Sequence, residues 1–178
     1  MSVYPSRSLS LRSCSHFLLA LGLGSFLAVA PASADPIHDA AEAGDATQVE
    51  VLIDGGVDVD ARDDLGRTVL LIGTEQGDVV LVELALAKGA DVNATRKNGT
   101  TALHLAGEHN RLEIAKILVA AGGNPNATFM GFVTPVMLAD GKGNKEVSDY
   151  LKEQGGEFGK FPTREEREKK KKASPPAN

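Results

Sequence analysis

The sequence predicts an all-α repeat protein in which pairs of short helices stack into a solenoid. The main observation is a spacing of 33 residues that recurs in four separate registers. A fixed period of this length is typical of stacked supersecondary units, which usually bind other macromolecules along an extended face. The four registers are Gly44, Gly77, Asn110 and Gly143; Gly56, Gly89 and Gly122; Asp60, Asn93 and Asn126; and Thr68, Thr101 and Thr134.

The third unit shows the expected structure of each repeat. Thr101 is a suitable N-cap for a short first helix, because its hydroxyl can accept a hydrogen bond from a first-turn amide. Asn110 ends that helix, since Asn and Gly tolerate the left-handed conformation found after a helix C-terminus. A second helix is predicted over 111–121 and is followed by turn residues over 122–127. Its apolar stripe is Ile114, Ile117, Leu118 and Ala121.

The other three units repeat this pattern, with boundaries near 36–66, 67–99, 100–132 and 133–158. The second helices of these units carry their own predicted stripes. These stripes are Val49, Leu52 and Ile53 in the first unit; Val80, Glu83, Leu84 and Lys88 in the second; and Val147, Tyr150 and Leu151 in the fourth.

Two short motifs resemble those of ankyrin repeats. Thr101-Ala-Leu-His104 and Thr134-Pro-Val-Met137 resemble the Thr-Pro-Leu-His opening of that family, and residues 89–94 match its closing Gly-Ala-Asp-Val-Asn-Ala. The resemblance covers roughly 36–158 and implies antiparallel helix pairs joined by protruding β-hairpin loops. It also implies structural roles for Thr101, His104 and Thr134, with the imidazole tying a helix start to a neighbouring loop.

Two glycines depart from the family pattern. Gly73 and Gly107 stand on inner helices where the family prefers Ala. Each is expected to cost up to about 1 kcal/mol of stability relative to Ala.

The resemblance further implies a monomeric protein-binding module whose recognition residues lie at the hairpin tips and at the exposed ends of the inner helices. This face is expected to be acidic overall, with basic spots at Arg62, Arg67, Arg96 and Lys97. The predicted partner-binding residues are Arg62, Asp64, Leu65, Arg67, Glu75, Gln76, Thr95, Lys97, Asn98, Glu108, His109, Phe129, Met130 and Phe132.

The third hairpin differs from the other two. Phe132 stands where Gly66 and Gly99 occupy the turn, and Phe129 and Met130 add to an apolar cluster. Such a cluster is either an exposed binding anchor or a cap folded back onto the last repeat.

The N-terminal 34 residues have the features of a secretory signal peptide. A basic start is followed by a short apolar run and by Ala32-Ser-Ala34, so cleavage is expected after Ala34. The run is too short to span a bilayer, which predicts export to a periplasm or outside the cell without stable membrane insertion. Cys14, the only cysteine, would be removed, so the mature protein would form no disulfide.

The charge is distributed unevenly. Residues 35–159 contain 10 basic and 21 acidic residues, a formal charge of −11, which does not suit binding to nucleic acid. Residues 160–178 form a basic tail, with two prolines near its end, that is expected to be disordered. The tail either contacts an anionic lipid or surface polymer, or is simply solvated.

No pattern of an enzyme or a cofactor site is present, which indicates recognition without catalysis. The acidic residues of 54–64 could coordinate Ca²⁺, but the 33-residue register explains Asp58 and Asp60 as ordinary loop residues, so no metal ligand is predicted. Two alternative functions remain open at this point. One is an accessory factor that protects or modulates an enzyme of the same compartment, and the other is a calcium- or surface-polymer-binding structural protein.

Overall fold

The computed structural model describes residues 36–160 and residue 163, and these residues form eight α-helices in four consecutive pairs. The predicted all-α repeat fold is therefore confirmed. The predicted signal peptide lies outside the described residues, as does the tail apart from Lys160 and Thr163. The helices are α1 (Pro36–Glu42), α2 (Ala46–Asp54), α3 (Val69–Gln76), α4 (Val79–Ala87), α5 (Ala102–Glu108), α6 (Leu112–Ala120), α7 (Pro135–Gly141) and α8 (Lys145–Glu153).

The residues that recur every 33 positions begin and end these helices. The hydroxyl of Thr134 accepts from the backbone N–H of Met137 at 3.4 Å, which caps the start of α7. Asn110 follows α5 with φ of +56°, and Gly77 follows α3 with φ of +82°. The sequence period is therefore a period of helix boundaries.

The inner helices α1, α3, α5 and α7 pack against one another in chain order, and α2, α4, α6 and α8 cover them from the outside. Residues 69–74 of α3 and 102–107 of α5 are buried on every side, because each of these helices has an inner helix on either side and an outer helix behind it. Leu118 of α6 and Leu151 of α8 are fully buried and belong to the same continuous core.

The predicted stripe of α4 is displaced by one residue. Val80 is 64% exposed and Glu83 is exposed, whereas Leu81, Val82 and Ala85 are buried. The physical reason is that α4 is apolar around nearly its whole circumference, so its composition does not define one face. The neighbouring helices decide which side is buried.

Short hairpins project between the repeats, as the resemblance implied. The backbone N–H of Arg96 donates to the carbonyl of Thr100 at 2.9 Å, and that of Phe129 donates to Val133 at 3.0 Å. The N–H of Asp63 donates to Arg67 at 3.1 Å in the same way. The pairing amounts to isolated bridges, so these loops do not extend into strands in the described residues.

Side-chain amides join the turns that follow the outer helices of successive repeats. Asn126 accepts from the N–H of Glu157 at 2.8 Å and donates to the carbonyl of Gly155 at 2.9 Å. Asn93 makes the equivalent pair of bonds one repeat earlier, accepting from Asn124 at 2.9 Å and donating to Gly122 at 3.3 Å. Asn93 and Asn126, which are one period apart, thus fix each turn to the next one.

Gly107 is required by close packing, and the expectation that it merely costs stability is wrong. A Cβ atom at this position would lie 2.8 Å from the carbonyl oxygen of Pro135 and 3.4 Å from the side chain of Ala139. Helices α5 and α7 therefore approach each other across a site that holds no methyl group. A Cβ at Gly73 would have the Leu81 side chain as its nearest neighbour, at 3.3 Å.

We expect Gly107→Ala to destabilise the protein by about 1–3 kcal/mol, because the methyl group would push the α7 backbone away from α5. The matched control is Gly141→Ala on α7, where an added Cβ meets nothing within 4 Å. That change should be neutral or should stabilise by up to about 1 kcal/mol. Urea unfolding followed by circular dichroism measures both, and equal stabilisation by the two changes would contradict the packing argument.

Candidate partner-binding face

The hairpins lie against the C-terminal ends of the inner helices, and the two together form one face. We define the partner face as residues 62–67, 95–100 and 128–133 of the hairpins with 42–43, 75–76, 108–109 and 141–142 at the helix ends. Eight of the predicted binding residues are exposed on it: Arg62, Asp64, Leu65, Gln76, Lys97, Asn98, His109 and Met130. Six are half-buried: Arg67, Glu75, Thr95, Glu108, Phe129 and Phe132.

Most charged groups of the partner face bind each other. The guanidinium of Arg67 contacts Glu42 of the preceding repeat and donates to Asp63 at 2.6 Å. Arg96 of the second hairpin pairs with Glu75 at the end of α3. The half-buried positions of Arg67, Glu75 and Arg96 follow from these contacts, which hold the first two hairpins against helix ends.

The third repeat boundary has an ion pair of the same kind. Lys142 at the end of α7 lies 3.0 Å from Glu108 at the end of α5. A hydrogen bond also joins the first two hairpins, where the Arg62 guanidinium donates to the carbonyl of Thr95. Exposed ion pairs contribute little to stability, roughly 0–1 kcal/mol each. Their main effect here is to neutralise the face.

The partner face is electrically neutral, which corrects the expectation of an acidic surface. It carries five basic residues (Arg62, Arg67, Arg96, Lys97 and Lys142) and five acidic residues (Glu42, Asp63, Asp64, Glu75 and Glu108). The remainder of 35–159 then holds 5 basic and 16 acidic residues, which is the whole formal charge of −11. Acidic groups at the ends of α1, α3 and α5 face basic groups of the next hairpin or the next inner-helix end, and the net negative charge lies on the rest of the surface.

Sequence reasoning missed two acidic residues of this face, Glu42 and Asp63. Glu42 stands one period before Glu75 in the sequence, so the register could have identified it. Asp63 stands one period before Arg96. The side-chain charge at this position is negative in one unit and positive in the next, so no repeating pattern indicated Asp63. Only the structure shows that Asp63 binds Arg67, four residues further on.

His104 fastens the third hairpin to α5. Its Nε2 lies 3.0 Å from the carbonyl oxygen of Val133, while its Nδ1 accepts from the backbone N–H of Thr101 at 3.2 Å. The Thr101 hydroxyl is 2.8 Å from the same Nδ1. Because Nδ1 faces an N–H donor and Nε2 faces a carbonyl, the ring fits its neutral form with the proton on Nε2.

The apolar cluster of the third hairpin divides into buried and exposed members. The Phe129 ring lies edge-on to His104, with centroids 5.3 Å apart, and Phe132 is also half-buried. Met130 is 72% exposed. Phe129 therefore packs against α5 of the third repeat, where the cap hypothesis expected contact with the last repeat, and Met130 remains available to a partner.

The turn of this hairpin has a different conformation from the other two. Gly66 and Gly99 have positive φ at the fourth position of their turns, whereas here Met130 (+54°) and Gly131 (+85°) have positive φ at the two central positions. With the Phe132 N–H donating to Phe129 at 3.3 Å, this is the geometry of a type I′ turn. Phe132 can occupy the fourth position of this turn because the residues with positive φ are now the second and third ones.

The acidic turn residues considered for calcium make hydrogen bonds within the chain. Asp58 accepts from the N–H of Asp60 at 2.9 Å, and the Asp60 carboxylate accepts from the N–H of Asp91 at 3.1 Å. Across the described part of the chain, no group of three or more His, Cys, Asp or Glu side chains could hold a metal ion. Nor does any helix in that part have the length and apolar character needed to cross a bilayer.

Comparison with known proteins identifies the repeats independently. A family model described as "Ankyrin repeats (3 copies)" matches residues 37–129, which is more than half of the chain. Among curated proteins, none matches the chain with significant similarity.

We expect stability to fall as the pH drops below about 6.5 because of His104. Burial, the largest effect, lowers the pKa of this imidazole below its ordinary value of 6.5, although the hydrogen bonds to Val133 and Ala127 oppose the shift. The unfolded chain therefore binds a proton at a higher pH than the folded chain does. The contribution of the neutral ring is complete above pH 6.5 and is lost below it.

Unfolding free energies measured between about pH 7.5 and 5 test this expectation. His104→Asn should flatten the pH dependence, whereas His109→Gln, which removes an exposed ring, should leave it in place. The window avoids Asp63, whose pKa is raised by burial but lowered further by the hydrogen bonds from Arg67, to below its ordinary 3.8. An unchanged slope in His104→Asn would show that another group causes the acid sensitivity.

Proposed function

The chain belongs to the ankyrin-repeat family, and on this basis we propose that it is an exported protein that binds a protein partner through the partner face. Ankyrin repeats are protein-interaction modules and are generally not enzymes. The proposal adds two elements to that family role, namely the residues that contact the partner and the compartment in which they do so.

The observation that carries the binding proposal is the exposure of large apolar side chains at hairpin tips. Leu65 is 61% exposed and Met130 is 72% exposed, on a face where most charged residues already pair with one another. Desolvating such a face costs less than desolvating free charges, and apolar anchors supply much of the energy at protein interfaces. The remaining surface carries the net negative charge, which favours solubility over tight contact.

The chain offers a closely matched test of this face. Leu65→Ser with Met130→Ser removes the two exposed tips, while Val51→Ser with Val80→Ser removes two outer-helix side chains that are 59% and 64% exposed. Immobilised wild-type and variant proteins would be incubated with the exported fraction of the source cells, and bound proteins quantified by mass spectrometry. We expect one protein to be retained by the wild type and the outer-helix variant but lost from the hairpin variant. Retention that depends on Val51 and Val80 instead would overturn the proposed face.

The support for export is the signal-peptide pattern of residues 1–34. A mature chain of this kind would lack Cys14 and would depend on repeat packing, since no disulfide could form.

We expect the mature protein to begin at Asp35, because cleavage follows Ala32-Ser-Ala34. N-terminal sequencing of protein recovered from the exported fraction measures this directly. Ala32→Leu with Ala34→Leu should block processing, whereas Ala28→Leu, within the apolar run, should not. Protein that starts at Met1 and stays inside the cell would contradict the proposed localisation.

A further inference from the structure

We infer that the tips of the three hairpins form an apolar–basic–apolar strip, made by Leu65, Lys97 and Met130, that fits a partner segment carrying a carboxylate between apolar side chains. This inference rests on the proposed function and specifies the chemistry of the partner. Lys97 and Met130 are one period apart, and Leu65 precedes Lys97 by 32 residues, so the strip follows the repeat direction.

Lys97 differs from the other basic residues of the partner face. Arg67, Arg96 and Lys142 each have an ion pair with an acidic side chain, and Arg62 donates to a carbonyl. The Lys97 side chain is exposed and has no ion pair within the described residues. Its ammonium group is thus the cation of this face that a partner carboxylate can bind without breaking an existing contact.

The backbone around Lys97 positions it beside Leu65. The backbone N–H of Lys97 donates to the carbonyl of Leu65 at 3.4 Å, and a Cβ at Gly66 would lie 2.9 Å from the same backbone nitrogen. A groove of about 290 Å³ lies between the two tips and is lined by Leu65, Arg96, Lys97 and Asn98. An apolar side chain entering this groove would contact Leu65 while its neighbouring carboxylate reaches Lys97.

Met130 indicates that the other end of the strip serves binding more than stability. It has φ of +54°, a conformation that Gly or Asn adopts at lower cost, and its side chain is mostly in solvent. A strained residue that gains no burial within its own chain points to a role outside the fold. A flexible thioether side chain is well suited to contact with an apolar partner group.

Charge complementarity selects an acidic partner for this strip. The rest of residues 35–159 carries a formal −11, so it repels an acidic segment, whereas the partner face is neutral and offers Lys97. On the first hairpin the charges of Arg62 and Asp64 offset each other. A basic segment would instead be drawn to the outer helices and turns, away from the strip.

The test is a selection of phage-displayed random peptides on two immobilised full-length chains, the wild type and Lys97→Glu. We expect the wild type to enrich peptides with Asp or Glu flanked by apolar residues, and Lys97→Glu to enrich Lys or Arg at the same place. Enrichment of one motif by both chains, or of basic motifs by the wild type, would overturn the inference about the carboxylate.

The affinity of the enriched peptide, synthesised and titrated against single variants, locates its site. Leu65→Ser and Met130→Gly should each weaken binding by about tenfold or more, while Val80→Ser, a change at a similarly exposed residue of α4, should have no effect. Met130→Gly should also raise the melting temperature, because Gly relieves the left-handed strain.

These outcomes separate the inference from the proposed function. Peptides that depend on Leu65 and Met130 but not on the charge at position 97 would leave the binding face intact and reject only the acidic partner. Peptides that ignore all the hairpin changes would reject both proposals.

Discussion

Burial of the inner helices by their neighbours is the constraint on which the rest of this structure depends. Residues 69–74 and 102–107, which are apolar or small except for His104, have no solvent-facing side. A single repeat could not bury such a helix, so stability comes from stacking, and each interface depends on the repeat before and after it. The glycine at position 107 shows how close the approach is, since the carbonyl of Pro135 occupies the space that a Cβ would need.

The same stacking produces the partner face. Because the repeats are in register, the end of each inner helix lies beside the next hairpin or the next inner-helix end along the chain. Acidic residues at the helix ends then meet basic residues of the next hairpin, as Glu42 meets Arg67 and Glu75 meets Arg96. The pairs contribute little energy individually, but they remove the net charge from one face of an otherwise acidic protein. Leu65, Lys97 and Met130 are left exposed on that face, and this contrast supports a binding role for it.

His104 connects the core with that face. Its ring is buried beneath the third hairpin, holds Val133 through Nε2, and supports the edge of Phe129. The third hairpin, which carries Met130, is therefore held to α5 by one buried imidazole. A change in the protonation of this ring would alter the hairpin and the core together.

The sequence by itself determined the all-α repeat fold and the resemblance to ankyrin repeats, because capping and turn residues act locally and recur every 33 positions. It also predicted the structural position of His104 from its place in the Thr-Ala-Leu-His opening. Three features were decided only by the tertiary structure: the buried side of α4, the neutrality of the partner face, and the need for Gly107. Each depends on which groups meet across a repeat interface. A helix that is apolar all round does not reveal its neighbour, a charge count does not reveal ion pairing, and the space beside a glycine is set by the backbone of another helix.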